Sequence, residues 1–135
     1  YVDSSVILRR LLSEPDGIAD RSAISDAVVS RLVFVEIARV IDRTRRAGAV
    51  DDEQVVALHE EARRILASPT VIPVSEEVLS LAARPMPTSL GTLDAIHLAS
   101  AMLAQQEIGK KLLFATHDDR LGLAARASGF DVLGC

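Results

Sequence analysis

Apolar residues along this chain keep two different periods, and segments of the two kinds alternate. Tyr1-Val2-Asp3 reads as the end of a strand, and "SSVILRRLLSE" follows with apolar positions at helical spacing from Val6 to Leu12. Glu14-Pro15-Asp16-Gly17 is turn chemistry, and "DAVVS", Asp26 to Ser30, is a short β-branched strand. A helix is predicted from Leu32 to Arg46, stopped by Gly48. Asp51-Asp52-Glu53 opens another, reaching as far as Ala67, with acids where the helix dipole favours them. "TVIPV", Thr70 to Val74, reads as a strand, and a helix from Glu76 to Ala83 leads into the breaker-rich Pro85-Met86-Pro87-Thr88-Ser89.

Leu90 to Ala104, "LGTLDAIHLASAMLA", departs from the amphipathic pattern. It is apolar on almost every side, which predicts a helix packed all round, with Thr92 as its cap. Yet Asp94 sits in its first turn above Leu98 and Ala101, and an inward carboxylate needs something to meet. Lys110-Lys111 close this region, "LLFAT" (Leu112 to Thr116) reads as a buried strand, and His117-Asp118-Asp119 marks its end. A helix from Asp119 to Ala127 stops at Gly129, and "FDVLG" supplies a last strand. Strands alternating with helices predict an α/β fold: a central, mainly parallel sheet of about four or five strands flanked by helices on both faces. Residues 1–135 read as one domain, without repeats or linkers. Ligands of such sheets bind beyond the carboxyl ends of the strands, where Asp3 and Asp118 fall.

Composition narrows the function. A net charge of −4 argues against a broad basic surface for nucleic acid, and one Tyr, three Phe and no Trp argue against stacking platforms. Any nucleic acid is expected to be held by its backbone. No apolar run approaches the roughly 18 residues of a spanning helix, and no signal-peptide pattern opens the chain, so a soluble, cytoplasmic protein is expected. A single Cys, Cys135, excludes an intrachain disulfide and a cysteine-based zinc site. The mean hydropathy, +0.26, is high for so small a domain and hints at apolar surface covered by a second chain.

Glu36 poses the same question as Asp94, since "LVFVEIARVI" is otherwise apolar around it. At 100° per residue it shares a stripe with Arg39, Arg43 and Arg46, opposite Val33, Ile37, Val40 and Ile41. If Asp3, Glu36, Asp94 and Asp118 converge, two unit charges about 4 Å apart repel by roughly 4 kcal/mol at an effective dielectric near 20, so the cluster must protonate or bind a cation. Oxygen ligands without a Cys or His cage suit Mg²⁺ or Mn²⁺, whose chemistry with carboxylates points to phosphodiester hydrolysis.

Four fragments in order, "YVDSSVIL", "VVSRLVFVEIAR", "GTLDAIHLASA" and "LLFATHDDRLGLAARASGF", resemble the PIN-domain nucleases, specifically VapC-type toxins of toxin–antitoxin pairs. The resemblance covers essentially the whole chain. It implies an Mg²⁺- or Mn²⁺-dependent endoribonuclease acting on transfer or ribosomal RNA, a homodimer, and inhibition by a VapB-type antitoxin. Carried over by motif, Asp3, Glu36, Asp94 and Asp118 resemble the catalytic, metal-holding acids, with Ser5 and Thr116 as hydroxyls that orient them. Asp118 is chosen over Asp119 because the family pattern has Thr, any residue, then Asp; Asp119 is left to cap the next helix. Arg39, Arg43 and Arg46 are candidate RNA contacts.

Each residue also has a structural reading. Asp3 can end a strand, Asp94 can complement a helix dipole, Glu36 can pair with Arg39 or Arg43, and His97 can be a satisfied hydrogen-bonder. Among other functions, a dinucleotide binder lacks its Gly-rich turn after the first strand. A haloacid-dehalogenase-like phosphatase would want an acid where Ser5 stands, and a receiver domain a Lys later than Lys110-Lys111. A non-catalytic RNA- or protein-binding module would tolerate the loss of an acid, and none is missing.

Overall fold

The order of elements follows the alternation in the sequence. In a computed structural model, which describes residues 1–14 and 26–135, helix α1 (Ser4–Leu11) is followed by β1 (Val28–Ser30), α2 (Leu32–Arg46) and α3 (Asp52–Ile65). Then come β2 (Thr70–Ile72), α4 (Glu76–Ala82), α5 (Thr92–Ile108), β3 (Leu113–Ala115), α6 (Asp119–Ala127) and β4 (Asp131–Leu133). The predicted turn at Glu14–Gly17 lies, past Glu14, outside the described residues.

The strands are parallel and shorter than their apolar runs. β1 pairs with β2, Val28 opposite Thr70, and β3 pairs with β4, Leu113 opposite Asp131. Pro73, which has no N–H to donate, follows the last paired residue of β2. Tyr1–Asp3 bond to both pairs: Val2 N donates to the Val28 carbonyl and Asp3 N to that of Ala115, each at 2.9 Å. Alternation along these segments divides the apolar residues between two cores. Tyr1, Val28 and Phe114 join Leu98, Leu121 and Phe130 in one, while Val2, Val29 and Ala115 join Val6, Val33 and Ile41 in the other. Helices thus pack on opposite sides of the strands, as α/β architecture requires.

Local chemistry sets the helix ends. Asp51 accepts from Gln54 N at 2.8 Å while Asp51 N donates to Gln54 Oε1 at 2.9 Å, a reciprocal cap that starts α3. Gly109, at φ +68°, ends α5 in a conformation that suits glycine. Two capping expectations are overturned. Gly91, not Thr92, caps α5, because Asp94 accepts the Gly91 N–H and leaves the threonine inside the helix. Asp118, not Asp119, caps α6. Among the described residues no helix is long and apolar enough to cross a membrane.

Candidate active site

Asp3 follows Val2 directly and is carried by the backbone bond to Ala115 to the carboxyl end of the strands. There it caps α1 and is 4% exposed. Its Oδ2 accepts from Ser5 Oγ at 2.6 Å, Thr116 Oγ1 at 3.0 Å and Ser5 N at 3.3 Å. Thr116, just past β3, is fully buried and also accepts from Asp118 N at 3.0 Å. Ser5 Oγ in turn accepts from His117 N at 2.9 Å. Both hydroxyls thus donate to Asp3, and they tie the start of α1 to the turn before α6.

Glu36 does not pair with Arg39 or Arg43. α2 leaves Ser30 at the end of β1 and turns Glu36 toward α5, where its Oε2 lies 2.7 Å from His97 Nε2. His97 is 1% exposed, and its Nδ1 lies 2.8 Å from the Tyr1 hydroxyl. A carboxylate can only accept, so Nε2 carries a proton and donates to Glu36. The same nitrogen stands 3.6 Å from Asp3 Oδ1, so one imidazole spans two of the four acids. Burial alone lowers the His97 pKa, but the bond to Glu36 and the charges of Asp3, Glu36 and Asp94 outweigh it and hold the pKa above its ordinary value.

Asp94 and Asp118 are half-buried, and their surroundings differ from those of Asp3. Asp118 Oδ1 accepts from Arg120 N at 2.8 Å and Leu121 N at 2.9 Å, in the first turn of α6. Asp94 has its pKa raised by burial first, then by the negative charges of Asp118 and Asp3, with the Gly91 N–H acting in the opposite sense. Charge repulsion thus couples Asp94 to two of the other three acids. The donor set fits a hard divalent cation: carboxylate oxygens under mutual repulsion, with both nitrogens of His97 already engaged. Among the described residues no three acid or imidazole side chains form a ready-made cage. Such an open set suits an ion that keeps waters and shares few carboxylates with its substrate.

Comparison with known proteins gives the family. The family model for the PIN domain matches residues 1–127. The chain belongs to the PIN-domain family. Its similarity to VapC proteins runs nearly end to end. "Ribonuclease VapC47" of Mycobacterium tuberculosis (strain CDC 1551 / Oshkosh) is 34% identical over an alignment of 137 positions, gaps included, that covers 96% of this chain and 92% of that protein. "Ribonuclease VapC46" of Mycobacterium tuberculosis (strain ATCC 25618 / H37Rv) is 33% identical over an alignment of 140 positions that covers 98% of this chain and 95% of that protein.

In this PIN domain the arginine stripe is not brought into the acid network. Arg39 pairs with Asp42 at 3.0 Å, and Arg46 pairs with the same carboxylate. Arg43 has no acidic partner among the described residues. What the sequence reading missed is the polar chain beneath the acids. Ser100 Oγ donates to the Ile96 carbonyl at 2.8 Å and lies 3.3 Å from Ser30 Oγ, and both serines are fully buried. The Tyr1 hydroxyl also faces the Ser30 backbone and the Ser100 side chain. A signal for part of this was present. Tyr1 and Asp3 are two apart on an extended segment, so they share a face, and Ser100 lies three residues after His97 on α5.

Proposed function

We propose that this VapC-type PIN domain is an endoribonuclease toxin that hydrolyses RNA phosphodiester bonds, with transfer or ribosomal RNA as substrate. Asp3, Glu36, Asp94 and Asp118 hold Mg²⁺ or Mn²⁺, and a VapB-type antitoxin inhibits the enzyme in the cytoplasm. The reading is supported above all by the coupling of all four acids, through His97 and through charge repulsion, in a chain whose curated relatives are named ribonucleases. The same reading takes residues 1–135 as one domain whose sheet runs β2, β1, Tyr1–Asp3, β3, β4. It also takes the protein as a homodimer, consistent with large apolar side chains left in solvent, such as Val35, Val56 and Leu123.

The chain's own contribution is orientation. Ser5 and Thr116 hold Asp3, the first-turn N–H groups of α6 hold Asp118, and His97 holds Glu36, so three acids need little rearrangement when a phosphodiester arrives. Each keeps an oxygen clear of its strongest internal bond. A divalent ion at these oxygens would supply positive charge to a phosphoryl oxygen and lower the pKa of water. The phosphatase alternative fits poorly, because Ser5 stands where its second acid belongs and is locked on Asp3 at 2.6 Å.

The test is cleavage of total transfer RNA and ribosomal RNA by the purified chain, free of antitoxin, with Mg²⁺ or Mn²⁺, with chelator, and with Asp94→Asn. Metal-dependent cutting lost in both controls is expected. Failure of the folded, metal-loaded protein to cut any RNA would overturn the nuclease reading in favour of a binding module.

A further inference from the structure

A cavity of about 470 Å³ opens beside the acids, between α4, the loop that follows it and the start of α5. Its walls are largely aliphatic, from Leu79, Met86, Leu90 and Ile96, and among the polar side chains that interrupt them two stand out. One is Thr88, whose Oγ1 is buried without a hydrogen-bond partner. The other is Arg84, exposed and without an acidic partner among the described residues. The cavity joins the acid site through Gly91, which lines it, donates its N–H to Asp94, and lies so close that a Cβ there would stand 3.3 Å from Asp94 Oδ2.

These features call for a particular kind of occupant. A buried hydroxyl without a partner is unfavourable until something with a donor or acceptor meets it. Apolar walls suit the faces of a ring, and an exposed guanidinium suits a phosphate. The chain has no aromatic side chain to spare for stacking: Tyr1, Phe114 and Phe130 are buried in one core, and Phe34 lies under Arg31, whose guanidinium is 4.5 Å from the ring centroid. A base held here would have aliphatic walls in place of an aromatic partner. Single-stranded RNA presents such unstacked bases, with phosphates on either side.

We propose that this cavity seats a nucleobase of the RNA next to the cleaved phosphodiester, with the Thr88 hydroxyl, turned out of its enclosed position, meeting the base edge and Arg84 a neighbouring phosphate. It is thereby a specificity site beside the acids. The inference rests on the ribonuclease reading for its substrate class but adds a base-selecting pocket to a protein otherwise expected to hold only the backbone. The size fits, since 470 Å³ accommodates a nucleoside.

The experiment has two independent readouts. First, the chelated wild-type protein is titrated with AMP, CMP, GMP and UMP while the methyl resonances of Met86, Leu90 and Ile96 are followed by NMR. At least one nucleotide should shift these methyls, and Thr88→Val and Arg84→Ala should each weaken that binding about fivefold, the value of one hydrogen bond. Second, a set of oligonucleotides differing only at the base beside the cut is cleaved with metal, and Thr88→Val should level the preference among them, mainly through KM. Ala82→Leu, which narrows the cavity from α4, serves as a second variant should either polar one fold poorly.

Nucleotide binding at these methyls by a protein that cuts no RNA would uphold the pocket while the nuclease reading fell. Absence of methyl shifts with every nucleotide would overturn the pocket while leaving the nuclease reading intact. So would an unchanged base preference in Thr88→Val. If Ala82→Leu alters only the oligomeric state seen in sedimentation, the cavity belongs to a second copy of the chain and the proposal is wrong.

Discussion

Asp3 is enclosed and Asp94 is half open, and the two carboxylates are kept in place by opposite means. Asp3 accepts from three hydroxyls and a backbone N–H and has an imidazole 3.6 Å away, so its charge is met by the protein itself. Asp94 has the Gly91 N–H but faces the charges of Asp118 and Asp3, and its pKa is raised. One half of the site is therefore complete as folded, and the other half carries a repulsion that a cation would relieve. On the proposed reading, catalytic and structural roles coincide at Asp3 and separate at Asp94.

Substituting the two acids separates those roles most sharply. Asp94→Asn should reduce RNA cleavage by about 10³-fold or more, the several kcal/mol that charge stabilisation by a metal supplies. In chelator it should leave the melting temperature unchanged or slightly higher. The sign follows from the raised pKa: the ionised form is disfavoured in the folded protein, so a neutral amide removes a repulsion. Asp3→Ala should lose as much activity and also stability, by about 1–3 kcal/mol, because Ser5 and Thr116 are left with hydroxyls that have lost their acceptor. Thermal melting without metal, alongside a cleavage assay, checks both. Equal destabilisation by the two variants would erase the distinction between the enclosed and open halves.

Thr116→Val tests how the enclosed half is held. It removes the donor to Asp3 Oδ2 and the acceptor for Asp118 N while keeping the shape of the side chain. Cleavage should fall about 10–100-fold, the usual effect of losing a group that orients a ligand, and Thr116→Ser should restore most of it. Failure of serine to rescue would mean that the methyl group's packing, rather than the hydroxyl, matters at this buried position. His97 invites a parallel comparison. His97→Leu removes the imidazole partner of both Glu36 and the Tyr1 hydroxyl, whereas His97→Gln can still donate to Glu36. The leucine variant should lose about tenfold or more in cleavage and in Mn²⁺ affinity by calorimetry, and the glutamine variant should recover part of both.

The same contrast explains what could be read from the sequence. Helices and strands announced themselves by period and punctuation: α2 and α6 occupy the residues their patterns predicted, ended by Gly48 and Gly129. Glu36 was recognisable as a residue on the border of an apolar stripe. Its partner was not, because His97 is 61 residues away and meets it only once α2 and α5 have packed. Tyr1 and His97 are joined across 96 residues in the same way. The caps failed for a different reason. Gly91 over Thr92, and Asp118 over Asp119, are choices of one residue, decided by where Asp94 and Thr116 place their oxygens. Within the site, the acids were legible as chemistry out of place, and the neutral groups that fix them were not.

The smallest effects are expected on the arginine stripe, where the sequence suggested an RNA contact and the structure shows a shared partner. Arg39 and Arg46 both engage Asp42, whose carboxyl pKa is lowered chiefly by the bond from Arg46. Both arginines are well exposed and Asp42 is partly so, which leaves their attraction screened, and an incoming phosphate must compete with a carboxylate already in place. Arg43 has no such competitor among the described residues. Arg43→Ala should therefore weaken RNA binding more than Arg39→Ala or Arg46→Ala, and should lower the steepness of its salt dependence by about one counterion. Each of the other two should change binding less than about threefold, with the melting temperature unmoved. Binding isotherms at several salt concentrations, measured on the uncleaving Asp94→Asn background, resolve the order. Equal loss from all three would make the stripe a working phosphate track despite Asp42.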